Sequence, residues 1–121
     1  MSNKIKVLYI DDEVINLELF VYNFSEKFEV ITDCSGINGL AQLQNHPDIK
    51  VVISDMKMPN MNGLEFITKA KEIYEDKRYY ILTGYDITEE IKQALETKLI
   101  LKYFRKPFNI REIENTISEV I

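Results

Sequence analysis

Acidic, hydroxyl and lysine side chains follow four of the five short apolar runs in this 121-residue chain. Asp11-Asp12-Glu13 comes after the first run, Asp55 after the third, Thr83-Gly84 after the fourth and Lys106-Pro107 after the fifth. Taken singly, each fits an ordinary role as a helix cap, a turn residue or a solvated charge. Their recurrence at the ends of successive runs indicates one shared site.

Carboxylates gathered in one place imply a cation. Two of them about 4 Å apart repel by roughly 4 kcal/mol at an effective dielectric constant near 20, so Asp11, Asp12 and Asp55 together would need a divalent ion. Mg²⁺ suits oxygen ligands, and a chain with one His and one Cys offers no cluster for zinc; Mn²⁺ remains an alternative.

The lysine and the threonine complement a phosphoryl group. The Lys106 ammonium would neutralise phosphoryl oxygens, and the Thr83 hydroxyl would donate a hydrogen bond to one of them. A carboxylate can itself accept a phosphoryl group as an acyl phosphate. Asp55 is the best candidate, because it follows the run predicted to be the central strand.

Strands must position these groups at one edge. The apolar runs predict strands over Ile5–Ile10, Phe28–Thr32, Lys50–Ser54, Tyr79–Leu82 and Ile100–Phe104. Between them, helical spacing relates Val14, Leu17, Val21 and Phe24, then Leu64, Ile67, Ala70 and Tyr74, and later Ile110, Ile113, Ile117 and Val120. The alternation predicts an α/β fold in three layers, with a parallel sheet covered on both faces. In such folds the functional crevice lies at the carboxyl ends of the strands.

The remaining helices have weaker signals. Ser35–Asn45 contains Gly36 and Gly39, although Ile37, Leu40 and Ala41 keep the helical spacing. An N-cap residue followed three positions later by an acid predicts helix starts at Asp86 with Glu89, and at Asn109 with Glu112.

Bulk composition predicts one domain over residues 1–121, without a membrane span or a secretory leader, and therefore a cytoplasmic protein. The net charge of −5 argues against a nucleic-acid surface. Cys34 is expected to be a buried or half-buried thiol, and His46 a loop residue.

The set Asp11-Asp12, Asp55 with Met58-Pro59 and Asn62-Gly63, Thr83-Gly84, and Lys106-Pro107-Phe108 resembles the receiver domains of two-component response regulators. The resemblance runs from Lys4 to the last residue. It implies a flavodoxin-like (βα)5 fold with strand order 2-1-3-4-5, and a cis bond between Lys106 and Pro107.

The resemblance also implies roles. Asp55 would take a phosphoryl group from a sensor histidine kinase or a phosphotransfer protein. Asp12, assisted by Asp11, would bind Mg²⁺ together with Asp55 and the backbone carbonyl of Lys57. Thr83 and Lys106 would hold the phosphoryl group, and Tyr103 would be the switch aromatic.

Phosphorylation would then change the face formed by helix 4, strand 5 and helix 5, through which an unknown output, or a homodimer, would be controlled. Lys57 and Tyr85 lie two residues after Asp55 and Thr83, where relatives tune the lifetime of the acyl phosphate, and the Tyr85 ring is expected to lengthen it. Glu96–Leu99 lacks the glycine that many relatives have, which predicts an irregular or longer fourth helix.

Ile15, Leu19 and Leu99 lie off the predicted stripes, as partner contacts or as scattered surface residues. Three other functions are alternatives. A phosphatase is disfavoured by Lys57, where a second acid would be expected, and a nucleotide binder by the acids after the first strand. A receiver-like interaction module that does not cycle through phosphorylation remains open.

Overall fold

The computed structural model describes residues 4–84 and 87–119. In chain order the elements are β1 (Lys6–Ile10), α1 (Val14–Phe24), β2 (Glu29–Asp33), α2 (Gly36–Asn45), β3 (Val51–Asp55), α3 (Gly63–Ile73), β4 (Arg78–Thr83), α4 (Glu89–Glu96), β5 (Lys102–Arg105) and α5 (Ile110–Ser118). All strand pairs are parallel, in the order β2-β1-β3-β4-β5. The predicted flavodoxin-like α/β fold and its strand order are confirmed.

The sheet register brings the strand ends to one edge. Ile10 pairs with Ser54, Asp55 pairs with Leu82, and Thr83 pairs with Arg105. The first four predicted strands match within one residue at each end, whereas β5 begins at Lys102 rather than at Ile100. Ile100 is nevertheless buried, in the turn before the strand, which explains its apolar character.

The core has two parts because successive strand residues point to opposite faces of the sheet. Leu8 and Ile10 of β1 belong to the part that packs under α2, α3 and α4. Val7 and Tyr9 belong to the part that packs under α1 and α5. The sheet is thus covered on both faces, as the alternation of elements predicts.

Three helical stripes were predicted incorrectly in detail. Val14 and Val21 of α1 are 63% and 37% exposed, whereas Phe20 is buried. Residues 37 and 41 of α2 are exposed, while both of its glycines are buried. Ile110 of α5 is 42% exposed, although Ile113 and Ile117 are buried. Helical spacing alone does not choose between adjacent faces, and the large aromatic ring decides the face of α1.

One of the two predicted helix caps is confirmed, and the other differs. The Asn109 side chain accepts a hydrogen bond from the Glu112 amide at 3.0 Å, as predicted. The N-cap of α4 is Thr88 and not Asp86, which lies outside the described residues together with Tyr85 and Val120. Helix α4 thus begins later than predicted, because the side chain of Thr88 accepts the capping hydrogen bond from the Ile91 amide.

The end of α4 is not extended. The helix stops at Glu96, with Thr97 as its C-cap, and Lys98 adopts a φ of 62° in the left-handed region. Leu99 is half-buried and packs against the core.

Two further expectations concern single residues. Cys34 is exposed, contrary to the prediction, because β2 has already ended and the thiol lies in the turn before α2. Ile15 and Leu19 are exposed on α1. Within residues 4–84 and 87–119, none of the helices has the length and apolar character needed to cross a bilayer.

Candidate functional site

Three carboxylates meet at the carboxyl edge of the sheet. Asp11 follows β1 and is fully buried, Asp55 ends β3 and is 4% exposed, and Asp12 is exposed. Each offers an oxygen within 4.8 Å of the others. These oxygen donors are the ligand type that Mg²⁺ and Mn²⁺ prefer. The donor set therefore fits such an ion.

Lys106 supplies the positive charge of the site. Its Nζ lies 2.8 Å from Asp55 Oδ1 and 3.7 Å from Asp11 Oδ2. It follows β5, and its peptide bond to Pro107 is cis, as the resemblance implies. The ammonium thus partly neutralises two buried acids.

The pKa of Asp55 is raised above its ordinary value. Burial is the largest cause, the hydrogen bond from Lys106 opposes it, and the charges of Asp11 and Asp12 add to it. Burial by itself would lower the pKa of Lys106, but the hydrogen bond and charge of Asp55 outweigh it, so that pKa is raised as well. The charged form of Asp55 is therefore disfavoured, and an added cation near its oxygens would stabilise it.

An open cavity of about 720 Å³ lies over these groups. Its lining consists of Asp12, Glu13, Asp55, Met56, Lys57, Met58, Pro59, Thr83, Gly84 and Lys106. Thr83 is 2% exposed at the end of β4. Of the predicted site residues, the cavity thus brings together Asp12, Asp55, Lys57, Thr83 and Lys106, with Asp11 buried beside Lys106.

Tyr103 lies apart from this cavity. Its side chain is half-buried against the core, with the Arg105 guanidinium 5.9 Å from the ring centroid. A smaller depression of about 350 Å³, formed with Lys102, Arg105 and Glu112, lies beside it. The residue sits on β5, in the face assigned by resemblance to the output.

The loop after Asp55 is held in place by its backbone. The Met56 amide donates to the Leu82 carbonyl, and the Gly63 amide donates to the Met56 carbonyl, each at 2.9 Å. A Cβ at Gly63 would lie 2.4 Å from the Asp55 carbonyl oxygen. The Asn62-Gly63 pair therefore starts α3 with the side-chain cap of Asn62 and lets the helix approach the acid closely.

Tyr9 is a site residue that the sequence reasoning missed. Its hydroxyl donates to Asp11 Oδ2 at 2.6 Å, and both residues are fully buried. A signal existed in the sequence, since residues two apart on a strand point to the same face. Tyr9 stands two positions before Asp11 at the end of β1.

The chain is similar to known proteins in family, sequence and structure. The family model for the response regulator receiver domain matches residues 7–118. Sporulation initiation phosphotransferase F of Bacillus subtilis is 30% identical over 118 residues, covering 96% of this chain and 93% of that protein.

A longer relative and a solved structure are also similar to this chain. The hydrogenase transcriptional regulatory protein HoxA of Bradyrhizobium diazoefficiens is 28% identical over 122 residues, covering all of this chain but only 25% of that protein. The chain therefore spans about a quarter of the length of such regulators. The crystal structure of Vibrio cholerae chemotaxis protein CheY4 superposes with a TM-score of 0.87 at 28% identity, covering 98% of this chain and 99% of that one.

Proposed function

The chain belongs to the response regulator receiver domain family of two-component signalling, and from this premise we propose that Asp55 is its phosphoacceptor. A receiver is part of a regulator rather than a conventional enzyme. The observation that carries the proposal is the ammonium of Lys106, 2.8 Å from an oxygen of the buried Asp55 at the base of an open cavity. An acid in this setting is accessible to a donor and is already paired with a group that can bind phosphoryl oxygens.

In the proposed reaction, a carboxylate oxygen of Asp55 attacks the phosphorus of a phosphohistidine. The new O–P bond makes an acyl phosphate, while the N–P bond breaks and its electron pair returns to the donor's imidazole. Lys106 and the hydroxyl of Thr83 then hold oxygens of a group that carries about −1.5 to −2 charge. The donor would be a sensor histidine kinase or a phosphotransfer protein.

Asp11, Asp12, Asp55 and the backbone carbonyl of Lys57 are the groups that we propose to hold Mg²⁺, with Mn²⁺ as a substitute. The ion would supply positive charge to phosphoryl oxygens as they approach the acids. The close carboxylate oxygens support this assignment, as does the pKa of Asp55, which is raised mainly by burial and further by the charges of Asp11 and Asp12.

We further propose that phosphorylation is transmitted to the face formed by α4, β5 and α5. Thr83 ends β4, and Lys106 follows the neighbouring β5. Thr83 pairs in register with Arg105, whose guanidinium lies 5.9 Å from the centroid of the Tyr103 ring. A shift of Thr83 toward a phosphoryl group would change the space available to that ring. This face would in turn control an output, which would be another domain, a partner protein or a second copy of the chain.

Incubation with acetyl phosphate and Mg²⁺ tests the proposal directly. Intact-mass spectrometry should show one added phosphoryl group on the unaltered chain and none on Asp55→Asn. Asp48→Asn is the matched control, because Asp48 is an exposed acid paired with Lys6 far from the cavity, and it should be phosphorylated normally. Incorporation by Asp55→Asn would refute the assignment of Asp55. A chain that folds but gains no phosphoryl group would instead be an interaction module of the non-cycling kind.

A further inference from the structure

We propose that Tyr9 is a positioning residue of the metal site, acting through the hydrogen bond between its hydroxyl and Asp11. This inference rests on the proposed function, because it concerns the same acids. It assigns to a core tyrosine a role in metal affinity, in addition to its packing.

The hydrogen bonds of Asp11 account for both oxygens of its carboxylate. Oδ2 accepts from the Tyr9 hydroxyl at 2.6 Å, and Oδ1 accepts from the backbone amide of Glu13 at 3.0 Å. The two donors belong to β1 and to the residue preceding α1. The carboxylate is therefore fixed in orientation from two sides, in a place that water does not reach.

The Tyr9 ring is itself fixed by α1. It stacks on Phe20 with ring centroids 4.2 Å apart and planes 14° from parallel. Phe20 in turn contacts Phe24 at 4.5 Å and Phe108 at 5.9 Å. Because the ring is held by packing, the fold itself directs the hydroxyl at Asp11.

The hydroxyl also affects which acid Lys106 pairs with. Nζ of Lys106 lies 3.7 Å from the same oxygen of Asp11 that Tyr9 binds, and 2.8 Å from Asp55. Tyr9 provides Asp11 with a donor, so that the ammonium can remain at the phosphoacceptor. Without the hydroxyl, Asp11 would compete with Asp55 for Lys106, and of these two hydrogen bonds only the one from the Glu13 amide would still orient its carboxylate.

Hydrogen-bond partners behind a metal ligand orient that ligand, and their removal commonly weakens metal binding about 10- to 100-fold. Tyr9→Phe removes the hydroxyl and keeps the ring that stacks on Phe20. We therefore expect this variant to bind Mg²⁺ at least about 10-fold more weakly than the unaltered chain.

Tyr79→Phe is the matched control. Tyr79 is 1% exposed, and its hydroxyl donates to the Tyr74 carbonyl at 2.6 Å, in the other part of the core. It too loses one buried hydroxyl, but at a distance from the acids. Both variants should lose stability, and only Tyr9→Phe should lose metal affinity.

The experiment is isothermal titration of each chain with MgCl₂, followed by phosphorylation with acetyl phosphate at several Mg²⁺ concentrations. The Mg²⁺ concentration for half-maximal phosphorylation should rise for Tyr9→Phe, whereas the rate at saturating Mg²⁺ should approach that of the unaltered chain. Equal Mg²⁺ dissociation constants for Tyr9→Phe and the unaltered chain would overturn the role of Tyr9 alone. A lack of Mg²⁺ binding by the unaltered chain would instead overturn the proposed function.

A second measurement applies if Tyr9→Phe does not fold. The Tyr9 hydroxyl proton, buried and bonded to a carboxylate, should give a slowly exchanging NMR signal in the unaltered chain. Adding Mg²⁺ should shift this signal and leave that of the Tyr79 hydroxyl in place. A Tyr9 hydroxyl signal whose chemical shift does not change on addition of Mg²⁺ would refute the proposal.

Discussion

Replacing Asp55 with asparagine should stabilise the metal-free protein at pH 7, although it removes the proposed phosphoacceptor. Asp55 is 4% exposed and shares the site with two other acids. Its pKa is raised, mainly by burial, which means that the folded state disfavours the charged form. The amide of asparagine has a similar shape and carries no charge, so this penalty disappears.

The magnitude follows from opposing charges. Asp11, with oxygens within 4.8 Å, repels Asp55 by about 3 to 4 kcal/mol at an effective dielectric constant near 20, and exposed Asp12 by less. Lys106 at 2.8 Å attracts it by at most about 6 kcal/mol on the same scale. These attractive and repulsive energies nearly cancel. The loss of hydration of the buried carboxylate therefore decides the sign of the change in the free energy of unfolding. Removing one partner of a buried ion pair is destabilising where it leaves a charge unpaired, but Lys106 keeps Asp11 as a partner at 3.7 Å. We therefore expect a net stabilisation of about 1 to 2 kcal/mol, in the lower part of the range of about 1 to 4 kcal/mol seen when whole buried ion pairs are replaced.

Urea unfolding in EDTA measures this difference. With a slope of about 2 kcal/mol per molar urea, the midpoint should rise by about 0.5 to 1 M. Because the folded-state pKa of Asp55 is raised, the penalty is absent below the unfolded-state pKa of about 4 and grows as pH rises through the folded-state pKa. The advantage of Asp55→Asn should therefore be smallest near pH 4 and should increase toward pH 7.

The control variant changes Asp48, whose pKa is shifted in the opposite direction to that of Asp55. The hydrogen bond from Lys6 lowers the pKa of Asp48, so Asp48→Asn should not stabilise the protein at any pH. A midpoint for Asp55→Asn that is unchanged, lower, or higher by the same amount at every pH would refute the electrostatic reasoning.

Two backbone positions give further predictions. Gly63→Ala should lower the free energy of unfolding by about 1 to 3 kcal/mol, since its Cβ would meet the Asp55 carbonyl oxygen at 2.4 Å. Gly84→Ala, with its nearest neighbours at 3.7 Å, should change the free energy by less than about 0.5 kcal/mol, and equal urea midpoints for the two variants would contradict the steric argument. Lys98→Gly should raise the melting temperature, because the left-handed conformation costs a lysine about 1 kcal/mol or more. Asn60→Gly, at a φ of 69°, should raise it less, as asparagine tolerates this region; the reverse order would speak against backbone strain.

Much of the site could be predicted from the sequence because parallel strands impose a common edge. Asp55, Thr83 and Lys106 are separated along the chain, yet each stands at or just after a strand end. Once the apolar runs are identified as parallel strands, these residues must lie near one another. The strand order itself came from the resemblance, since spacing alone does not say which strand neighbours which.

The orientation of α1 could not be predicted by the same reasoning. Val14 and Val21 fit a helical stripe with Leu17 and Phe24, but so does Phe20, which lies three residues after Leu17 and four before Phe24. The two stripes differ by a modest rotation of the helix. The stack of Phe20 on Tyr9 fixes that rotation, and it is a contact between distant elements.

The glycines of α2 show why local propensity and tertiary packing can point in opposite directions. Glycine in a helix interior costs about 1 kcal/mol relative to alanine, so Gly36 and Gly39 weakened the prediction of this helix. A Cβ at Gly39, however, would lie 2.9 Å from atoms of both Ile10 and Phe66, and one at Gly36 would lie 2.6 Å from Met61 Sδ. The residues that loosen α2 in isolation are those that allow it to reach β1 and α3. Ile10 immediately precedes Asp11, so the packing of this weak helix bears directly on the strand end that carries the acids.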